Sequence, residues 1–336
     1  MARATIADVA RRAGVSKGLV SLALNDRPGV SAETRTRIQR IAEDMDWRPN
    51  PAARGLSAGR AFALGLVVHR ERHTVEVDPF FASFIAGVEE ALSQDNRVLV
   101  LSVVTDADTE AETYRRLSKD RRVDGFLLTD FLTDDHRVAL LRELDTPAVI
   151  LGDPAENIPF PVVSRDYARG VESLLAHLAE LGHRRIAHVT GDLQMQHASR
   201  RRDHFLTHCR ALGLEALIAE ADFSPERGAQ ATVELLDGDH RPTAIVYAND
   251  PMAIAGIAVA HERGLNLPAD LSVAGMDGSD IGRYTYPSLT TLNNDPAGWG
   301  RQAAAVLLEL IEQGEAADAA LPGADLIIRG STGAPA

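Results

Sequence analysis

Two short helical segments separated by a tight turn are encoded near the N-terminus of this 336-residue chain. Thr5 can cap the first segment, because Asp8 lies where a capping box places its acidic partner. Gly14 ends this segment and Ser16 can cap the next, which leaves a turn of only a few residues. The first segment has one apolar face, which consists of Ile6, Val9, Ala10 and Ala13. This spacing predicts a helix-turn-helix motif.

The second segment divides its residues between two faces. Val20, Ala23 and Leu24 form the apolar face, which we expect to pack inward. The opposite face is poor in charge and consists of Lys17, Gly18, Ser21, Leu22 and Asn25. Such a face is unusual on a solvated helix but typical of a helix that lies in the major groove of DNA.

A third helix is predicted to begin after the cap Ser31, with Glu33 near the positive end of its dipole. Its buried side is predicted to consist of Ile38, Ile41 and Met45, and Trp47 closes this small core. In the segment that follows, Asn50 can cap a short helix. About seven residues cannot hold a helix alone in water, so we expect this hinge to become helical only on DNA.

Together these segments resemble the headpiece of the lactose-repressor family of bacterial transcription regulators. The resemblance runs from Thr5 to Leu56 and includes the stretch from Val30 to Arg35. It implies that Leu56 wedges between base pairs in the minor groove. The DNA-binding residues that it implies are Thr5, Ser16, Lys17, Gly18, Ser21, Leu22, Asn25, Ser31, Thr34, Asn50, Ala53, Arg54 and Leu56.

The distribution of charge supports contact with DNA at one end of the chain only. The formal net charge is −13, but residues 1–60 contain 11 basic and 6 acidic residues, so the acidic excess lies in the remainder. A basic head on an acidic body is expected when only the head meets phosphate.

Other features of the sequence concern the cellular compartment of the protein. Cys209 is the only cysteine, so no internal disulfide can form. The N-terminus lacks an apolar signal region, and no stretch approaches the length of a membrane span. These features predict a cytoplasmic protein without a membrane partner.

Beyond residue 60, short apolar runs alternate with amphipathic helices, such as the helix from Phe80 to Leu92. The predicted strands are Leu64–Val68, Val98–Leu101, Gly125–Leu128 and Ala148–Leu151, followed by Ile186–Val189, Ala244–Tyr247 and Ser272–Gly275. This alternation predicts an α/β body of two doubly wound parallel sheets, with ligands at the carboxyl ends of the strands.

The family resemblance implies a periplasmic-binding-protein-like body with two lobes and three crossings, near Val162, Leu292 and Pro322. We accordingly predict a headpiece over residues 1–48, a hinge helix and linker over 49–60, a body over 61–330 and a tail over 331–336. The first lobe is expected to span about 61–162 and 293–322, and the second about 163–292 and 323–330.

The resemblance also implies an effector site. Arg201 matches the effector-gripping arginine, and Phe223 matches an aromatic platform. The full candidate set is Phe80, Phe81, Asp130, Asp166, Arg201, Phe223, Asn249, Asp277 and Asn294. Such side chains suit the hydroxyls and the apolar face of a sugar. In the alternative interpretation, Asn249 or Asp277 caps a helix and Phe81 belongs to the core.

Two motifs are interpreted without a catalytic or metal role, and no cofactor is predicted. Gly14 to Gly18 match the serine-hydrolase elbow pattern, but a helix precedes Ser16 where that elbow needs a strand. His204 and His208 have metal-ligand spacing, yet no recognisable ligand set completes a site.

The sequence therefore predicts a DNA-binding transcription regulator, a repressor whose operator affinity is controlled by a small effector, a sugar or sugar derivative. We expect a homodimer on palindromic double-stranded DNA, with apolar dimer surface from the helix around Phe84 and Val88. The tail lacks heptad leucines for tetramerisation. The alternatives are a sugar-binding protein without DNA function, which the headpiece disfavours, and an enzyme, for which no nucleophile–base arrangement is present.

Overall fold

The computed structural model describes residues 4–24, 28–47, 59–154 and 158–336. The chain divides into two compact units, Met1–Ala61 and Phe62–Ala336. The first unit is small, and the second contains most of the chain.

The N-terminal unit contains helices α1 (Ile6–Ala13), α2 (Lys17–Leu24) and α3 (Ala32–Asp44). Gly14 ends α1 with a φ of 66°, a left-handed conformation that glycine adopts without a Cβ penalty. The core contains the residues predicted for it, including Val9, Val20 and Ile38, with Trp47 packed against them. The predicted helix-turn-helix motif is confirmed.

The first sheet of the body has six strands. Its members are β1 (Ala63–His69), β2 (Val98–Val104), β3 (Gly125–Leu128), β4 (Ala148–Leu151), β5 (Val162–Arg165) and β11 (Ala319–Leu321). They lie in the order β11-β5-β4-β3-β1-β2, and every pair is parallel.

The second sheet also has six strands. Its members are β6 (Arg185–Val189), β7 (Glu215–Ala219), β8 (Ala244–Tyr247), β9 (Ser272–Gly275), β10 (Thr290–Asn293) and β12 (Asp325–Ile327). The order is β12-β10-β9-β8-β6-β7, and only β12 runs antiparallel to its neighbour.

Helices cover both faces of the sheets. They are α4 (Arg72–Val77), α5 (Pro79–Ser93), α6 (Ala107–Lys119), α7 (His136–Glu143), α8 (Ala168–Glu180), α9 (Gln196–Ala211), α10 (Pro225–Asp237), α11 (Asp250–Glu262) and α12 (Pro296–Gln313). In β8, Ala244 and Val246 belong to the cluster under α8 and α9, whereas Ile245 and Tyr247 belong to the cluster under α10 and α11. Consecutive strand residues are thus buried on opposite faces, as a doubly wound sheet requires.

The chain crosses between the sheets three times, close to the places that the resemblance implied. The first crossing differs from the expectation, because Val162–Arg165 pairs with β4 and extends the first sheet. The second lobe therefore begins after Arg165 instead of at residue 163. The other crossings follow Asn293 and lie between Leu321 and Asp325.

Residues 331–336, expected as a tail, pack against the second sheet instead. The Ser331 hydroxyl donates to the Val273 carbonyl at 2.6 Å and accepts from the Thr290 amide at 2.8 Å. Ser331 is fully buried, and the Ala336 amide donates to the Ala269 carbonyl at 3.0 Å. These hydrogen bonds hold the segment on the second lobe.

Helices α5 and α12 of the first lobe touch through their backbones. A Cβ on Gly87 would overlap the carbonyl group of Ala297, and one on Gly300 would overlap the carbonyl oxygen of Phe84. Glycine is therefore required at both positions for this close approach.

We predict that His188, a buried residue of β6, makes the free energy of unfolding sensitive to acid. Its Nδ1 donates to the Val246 carbonyl at 2.9 Å, its Nε2 has no hydrogen-bond partner, and burial lowers its pKa to about 4. The unfolded chain takes up this proton below about pH 6.5 and the folded chain only near pH 4. The free energy of unfolding should therefore fall as the pH drops through that window, by roughly 2–3 kcal/mol from this group.

The measurement is urea unfolding of His188→Gln between these pH values, because glutamine does not titrate. We expect the free energy of unfolding to fall less on acidification in this variant than in the parent. His73→Gln is the control, since the His73 side chain is 61% exposed. Parallel pH profiles of the parent and His188→Gln would show that His188 does not contribute.

Candidate effector site and DNA-binding surface

Three of the predicted DNA-binding residues also organise the starts of the headpiece helices. The Ser16 hydroxyl accepts from the Leu19 amide at 3.2 Å, and the Ser31 hydroxyl accepts from the Thr34 amide at 3.3 Å. At α1, the backbone and side chain of Thr5 both donate to Asp8, the latter at 2.6 Å. The Thr5 hydroxyl therefore holds the pKa of the Asp8 carboxyl below its usual range.

The predicted recognition face lies on α2. Lys17 and Gly18 are exposed, whereas Ser21 and Leu22 are half-buried. Thr34 lies in the first turn of α3. The remaining predicted DNA contacts lie outside the described residues: Asn25, Asn50, Ala53, Arg54 and Leu56.

A cavity of about 50 Å³ lies between the two lobes of the body, at the carboxyl ends of the strands. Arg70 follows β1 from the first lobe, and Asn249 follows β8 from the second. The full lining is Arg70, Asp78, Phe80, Thr129, Asp130, Leu151, Tyr167, His197, Arg201, Phe223, Asn249, Asp277 and Trp299. This is the position where open α/β sheets bind ligands.

The cavity brings together most of the predicted effector residues: Phe80, Asp130, Arg201, Phe223, Asn249 and Asp277. Phe81, Asp166 and Asn294 lie outside the lining. Phe81 is buried in the first-lobe core, and Asn294 is buried with its amide nitrogen on the Met276 carbonyl. Asp166 is exposed and accepts from the Ala168 amide at 2.8 Å, at the start of α8.

Sequence reasoning missed the other lining residues: Arg70, Asp78, Thr129, Leu151, Tyr167, His197 and Trp299. Arg70, Thr129 and Leu151 stand at or directly after the ends of β1, β3 and β4. The strand-end rule, applied to every strand, could have found these three. Asp78, Tyr167, His197 and Trp299 carry no comparable signal, because they reach the cavity from helices or their starts.

Arg70 is the most highly connected side chain of the site. Its guanidinium makes two hydrogen bonds of 2.7 Å to the Asp130 carboxylate and lies 3.5 Å from that of Asp78. Burial would raise the pKa of Asp130, but the charge and hydrogen bonds of Arg70 outweigh it, so the net pKa is lowered. Across the cleft, the guanidinium lies 4.7 Å from the centre of the Phe223 ring. Arg70 thus joins the two lobes.

Two acidic side chains meet on the second-lobe side. Asp277 accepts from the Asp250 amide at 2.7 Å, and Asp250 accepts from the Asp277 amide at 3.2 Å. Burial, together with the charge of Asp250, raises the pKa of Asp277 well above its usual value, which favours the protonated carboxyl.

Asn249 and Arg201 differ in how far their polar groups are satisfied. The Asn249 side chain donates to the Phe223 carbonyl at 2.9 Å and accepts from the Met252 amide at 3.0 Å, so it caps α11 as well as lining the cavity. Arg201 donates to the Ala248 carbonyl at 2.9 Å and lies 4.3 Å from the Tyr167 ring centre, while its Nε has no hydrogen-bond partner.

Comparison with known proteins identifies the family. The profile of bacterial regulatory proteins of the lacI family matches residues 5–50, and that of the periplasmic binding protein-like domain matches residues 175–332. The HTH-type transcriptional repressor CytR of Escherichia coli K12 is 30% identical over 334 residues, which are 98% of this chain and 96% of that protein. The chain belongs to the LacI family of bacterial regulatory proteins.

Other LacI-family members are similarly close. The regulator CelR of Thermobifida fusca is 32% identical over 316 residues, which are 92% of each protein. The lac repressor dimer bound to operator and the anti-inducer ONPF has a TM-score of 0.84 at 27% identity, over 99% of this chain and 100% of that one. A CelR–cellobiose complex has a TM-score of 0.75 at 29% identity, over 98% and 100%.

These similarities confirm the predicted family, the helix-turn-helix headpiece and the two-sheet body. Like its relatives, this LacI-family chain is a DNA-binding transcription regulator and not an enzyme. Ser16 follows helix α1, so it does not occupy a hydrolase elbow. Within the described ranges, no helix is long and apolar enough to cross a membrane, and no group of three or more His, Cys, Asp or Glu could hold a metal.

Proposed function

We propose that this regulator represses transcription from a palindromic operator and that a sugar or sugar derivative in the inter-lobe cavity controls its affinity for DNA. The observation that carries this proposal is the convergence of charged, amide and aromatic side chains from both lobes on one cavity. The CelR structure with cellobiose and the lac repressor structure with operator support both halves of the proposal.

The size of the cavity supports control through lobe movement. Sites for small molecules usually have volumes of about 300–1,000 Å³, whereas this cavity measures about 50 Å³. A sugar therefore enters only if the lobes separate or the lining side chains rearrange. Because binding changes the arrangement of the lobes, it can change how the body holds two DNA-binding headpieces.

The test is an operator-binding isotherm of the full chain, measured with and without candidate sugars. Operator DNA is first selected from a random library, and a scrambled duplex serves as the control. A ligand that shifts the operator isotherm supports the proposal. Specific sugar binding that leaves the operator isotherm unchanged would contradict control of DNA affinity by that sugar.

For the recognition face, we propose that Lys17 contacts a guanine or a phosphate and that Leu22 contacts a thymine methyl group. Leucine cannot make the bidentate contact to guanine that arginine makes. Leu22→Arg should therefore change the preferred base at one position of each half-site, by about 1–3 kcal/mol. Selection from random operators measures this preference.

The control variant is Thr36→Arg, which adds the same charge on the exposed surface of α3. It should leave the base preference unchanged, because it is outside the recognition helix. Identical sequence preferences for Leu22→Arg and the parent would contradict the assignment of Leu22. The hinge contacts and the wedge role of Leu56 remain predictions outside the described residues.

We further propose a cytoplasmic homodimer, since two-fold symmetry pairs headpieces on a palindrome. Phe84 and Val88, expected on the dimer surface, are fully buried in the first-lobe core. Exposed apolar side chains lie elsewhere, with Tyr284 at 82% and Tyr286 at 88% exposure. Light scattering should give twice the chain mass, and Tyr286→Asp should reduce it towards the monomer. A monomeric or tetrameric parent would contradict the dimer.

A further inference from the structure

Two loops, one from each lobe, pair with each other beside the cavity. Residues 131–133 follow β3 of the first sheet, and residues 194–196 lead into α9 of the second lobe. Leu132 and Met195 are opposite each other in an isolated antiparallel bridge. Two backbone hydrogen bonds join the loops, from the Gln196 amide to the Phe131 carbonyl at 2.8 Å and from the Thr133 amide to the Gln194 carbonyl at 3.2 Å. The lobes are therefore joined as two strands of a sheet are joined.

The Leu132 side chain adds an apolar contact across this pairing. Although it belongs to the first lobe, it packs against a hydrophobic cluster of the second lobe that includes Met195 and Phe223. Separation of the lobes would expose this contact to water, which is unfavourable for apolar surface. The sulfur of Met195 also accepts a hydrogen bond from Nη2 of Arg70 at 3.6 Å. These contacts oppose separation of the two loops.

Each loop is held within its own lobe by hydrogen bonds to a carboxylate. In the first lobe, Asp135 accepts from the Leu132 amide at 3.0 Å and is itself bound by the buried Arg137 guanidinium at 2.6 Å. In the second lobe, Asp192 accepts from the Gln194 amide at 2.9 Å. Hydrogen bonds to charged groups are stronger than those between neutral groups. Movement of the lobes should therefore break the contacts between the loops and leave each loop intact.

Both loops are continuous with residues that line the cavity. Asp130 lines the cavity and directly precedes the first loop, and His197 lines it and directly follows the second loop. A ligand that displaces either side chain therefore acts on backbone that is one residue away from the pairing.

Two ion pairs also span the lobes, but they should contribute little. They are Arg200 with Asp153 and His73 with Glu226. Arg200 is half-buried, and the other three side chains are exposed. Ion pairs in such surroundings add little stability and are screened by salt. The pairing of the loops is therefore the stronger link at this side of the cleft.

We propose that residues 131–133 and 194–196 form a latch, which holds the lobes together in the ligand-free protein and opens to admit the effector. The inference rests on the proposed function, because it takes the cavity as the effector site. The cavity of about 50 Å³ is too small for a sugar while the latch is closed. Opening of the latch therefore controls entry to the site.

The first experiment measures hydrogen–deuterium exchange of the Gln196 amide in the ligand-free full chain. Gln196 begins α9, and the first amides of a helix have no partner within it, so this amide is protected through the Phe131 carbonyl of the other lobe. We expect Leu132→Ala to speed its exchange by about tenfold or more, because alanine loses most of the apolar contact.

Leu265→Ala is the matched control for this experiment. Leu265 is also a partly buried leucine that packs against the same hydrophobic cluster, but it lies between α11 and β9, within the second lobe. Its replacement should leave exchange of the Gln196 amide unchanged. Equal exchange in the two variants, or an unprotected Gln196 amide in the parent, overturns the latch.

The second experiment measures entry into the cavity with iodoacetamide, a small neutral probe. Thr129 lines the cavity and is buried, so Thr129→Cys places a thiol that the probe reaches only when the cavity opens. The same protein without this change corrects for reaction of the buried Cys209. We expect Leu132→Ala to speed labelling of the new thiol by about tenfold or more, and Leu265→Ala to leave it unchanged. Equal labelling in the two backgrounds overturns entry through the latch.

Operator isotherms with cellobiose, glucose and galactose separate this inference from the proposed function. Faster exchange and labelling in Leu132→Ala, without any response of operator affinity to a sugar, would support the latch and count against sugar control. A sugar that shifts the operator isotherm, with exchange and labelling unaffected by Leu132→Ala, would support sugar control and overturn the latch.

Discussion

Arg201→Ala should abolish the response to the effector while leaving effector-free operator binding nearly unchanged. The side chain lines the cavity and has an unsatisfied Nε, so we expect it to gain a charged hydrogen bond when the effector binds. Loss of such a buried bond commonly costs about 2–5 kcal/mol, which lowers effector affinity by roughly thirtyfold or more. Calorimetry measures this affinity, and operator isotherms measure the response.

The control for this prediction is Arg202→Ala on the same helix. Arg202 pairs with Asp203 at the surface and does not line the cavity, so its loss should leave effector affinity intact. Effector affinity of Arg201→Ala equal to that of the parent would remove Arg201 from the site. Loss of operator binding in the absence of effector would instead assign it a structural role in the body.

Gly87→Ala should destabilise the body more than most single substitutions. Alanine favours a helix over glycine by about 1 kcal/mol, but the new Cβ would overlap the Ala297 backbone and force α5 away from α12. Overpacking that shifts side chains and backbone costs typically about 1–3 kcal/mol and occasionally more, and an overlap with backbone atoms belongs at the upper end of this range. The steric effect should therefore exceed the gain in propensity, and urea unfolding should show a net loss of about 2 kcal/mol or more.

Gly238→Ala is the matched control, because that glycine is exposed, has a φ of −70° and leaves ordinary space for a Cβ. Its stability should stay within about 0.5 kcal/mol of the parent. A Gly87→Ala variant as stable as this control would show that α5 and α12 can move apart with little loss in the free energy of unfolding.

The sequence predicted the architecture where apolar periodicity was long enough to be decisive. The buried runs that became β1, β3 and β8 are apolar along their length because the sheets are covered on both faces. Strands β11 and β12 are only three residues long, too short for a periodic pattern, so their placement depends on partners far away in the chain. The first crossing was misplaced for the same reason, because only its pairing with β4 and β11 assigns Val162–Arg165 to the first sheet.

The candidate site was predicted in part, and the gaps have a common physical cause. Arg70 stands in a run of polar residues that looks solvated in sequence, yet packing of the second lobe buries it against Phe223. Phe81 packs in the first-lobe core instead of lining the cavity, and the Asn294 amide donates to the Met276 carbonyl. A contact across the cleft joins residues that are far apart in the chain. Neither of the two segments therefore has a periodic sequence pattern that would predict the contact.

The positions of the two tryptophans have a practical consequence for measuring effector binding. Trp299 lines the cavity and donates its indole N–H to the Val163 carbonyl at 3.1 Å, while Trp47 packs in the headpiece core. Each unit of the chain therefore contains its own fluorophore. A Trp47→Phe variant would leave Trp299 as a single intrinsic probe, whose emission would follow ligand entry without a dye or label.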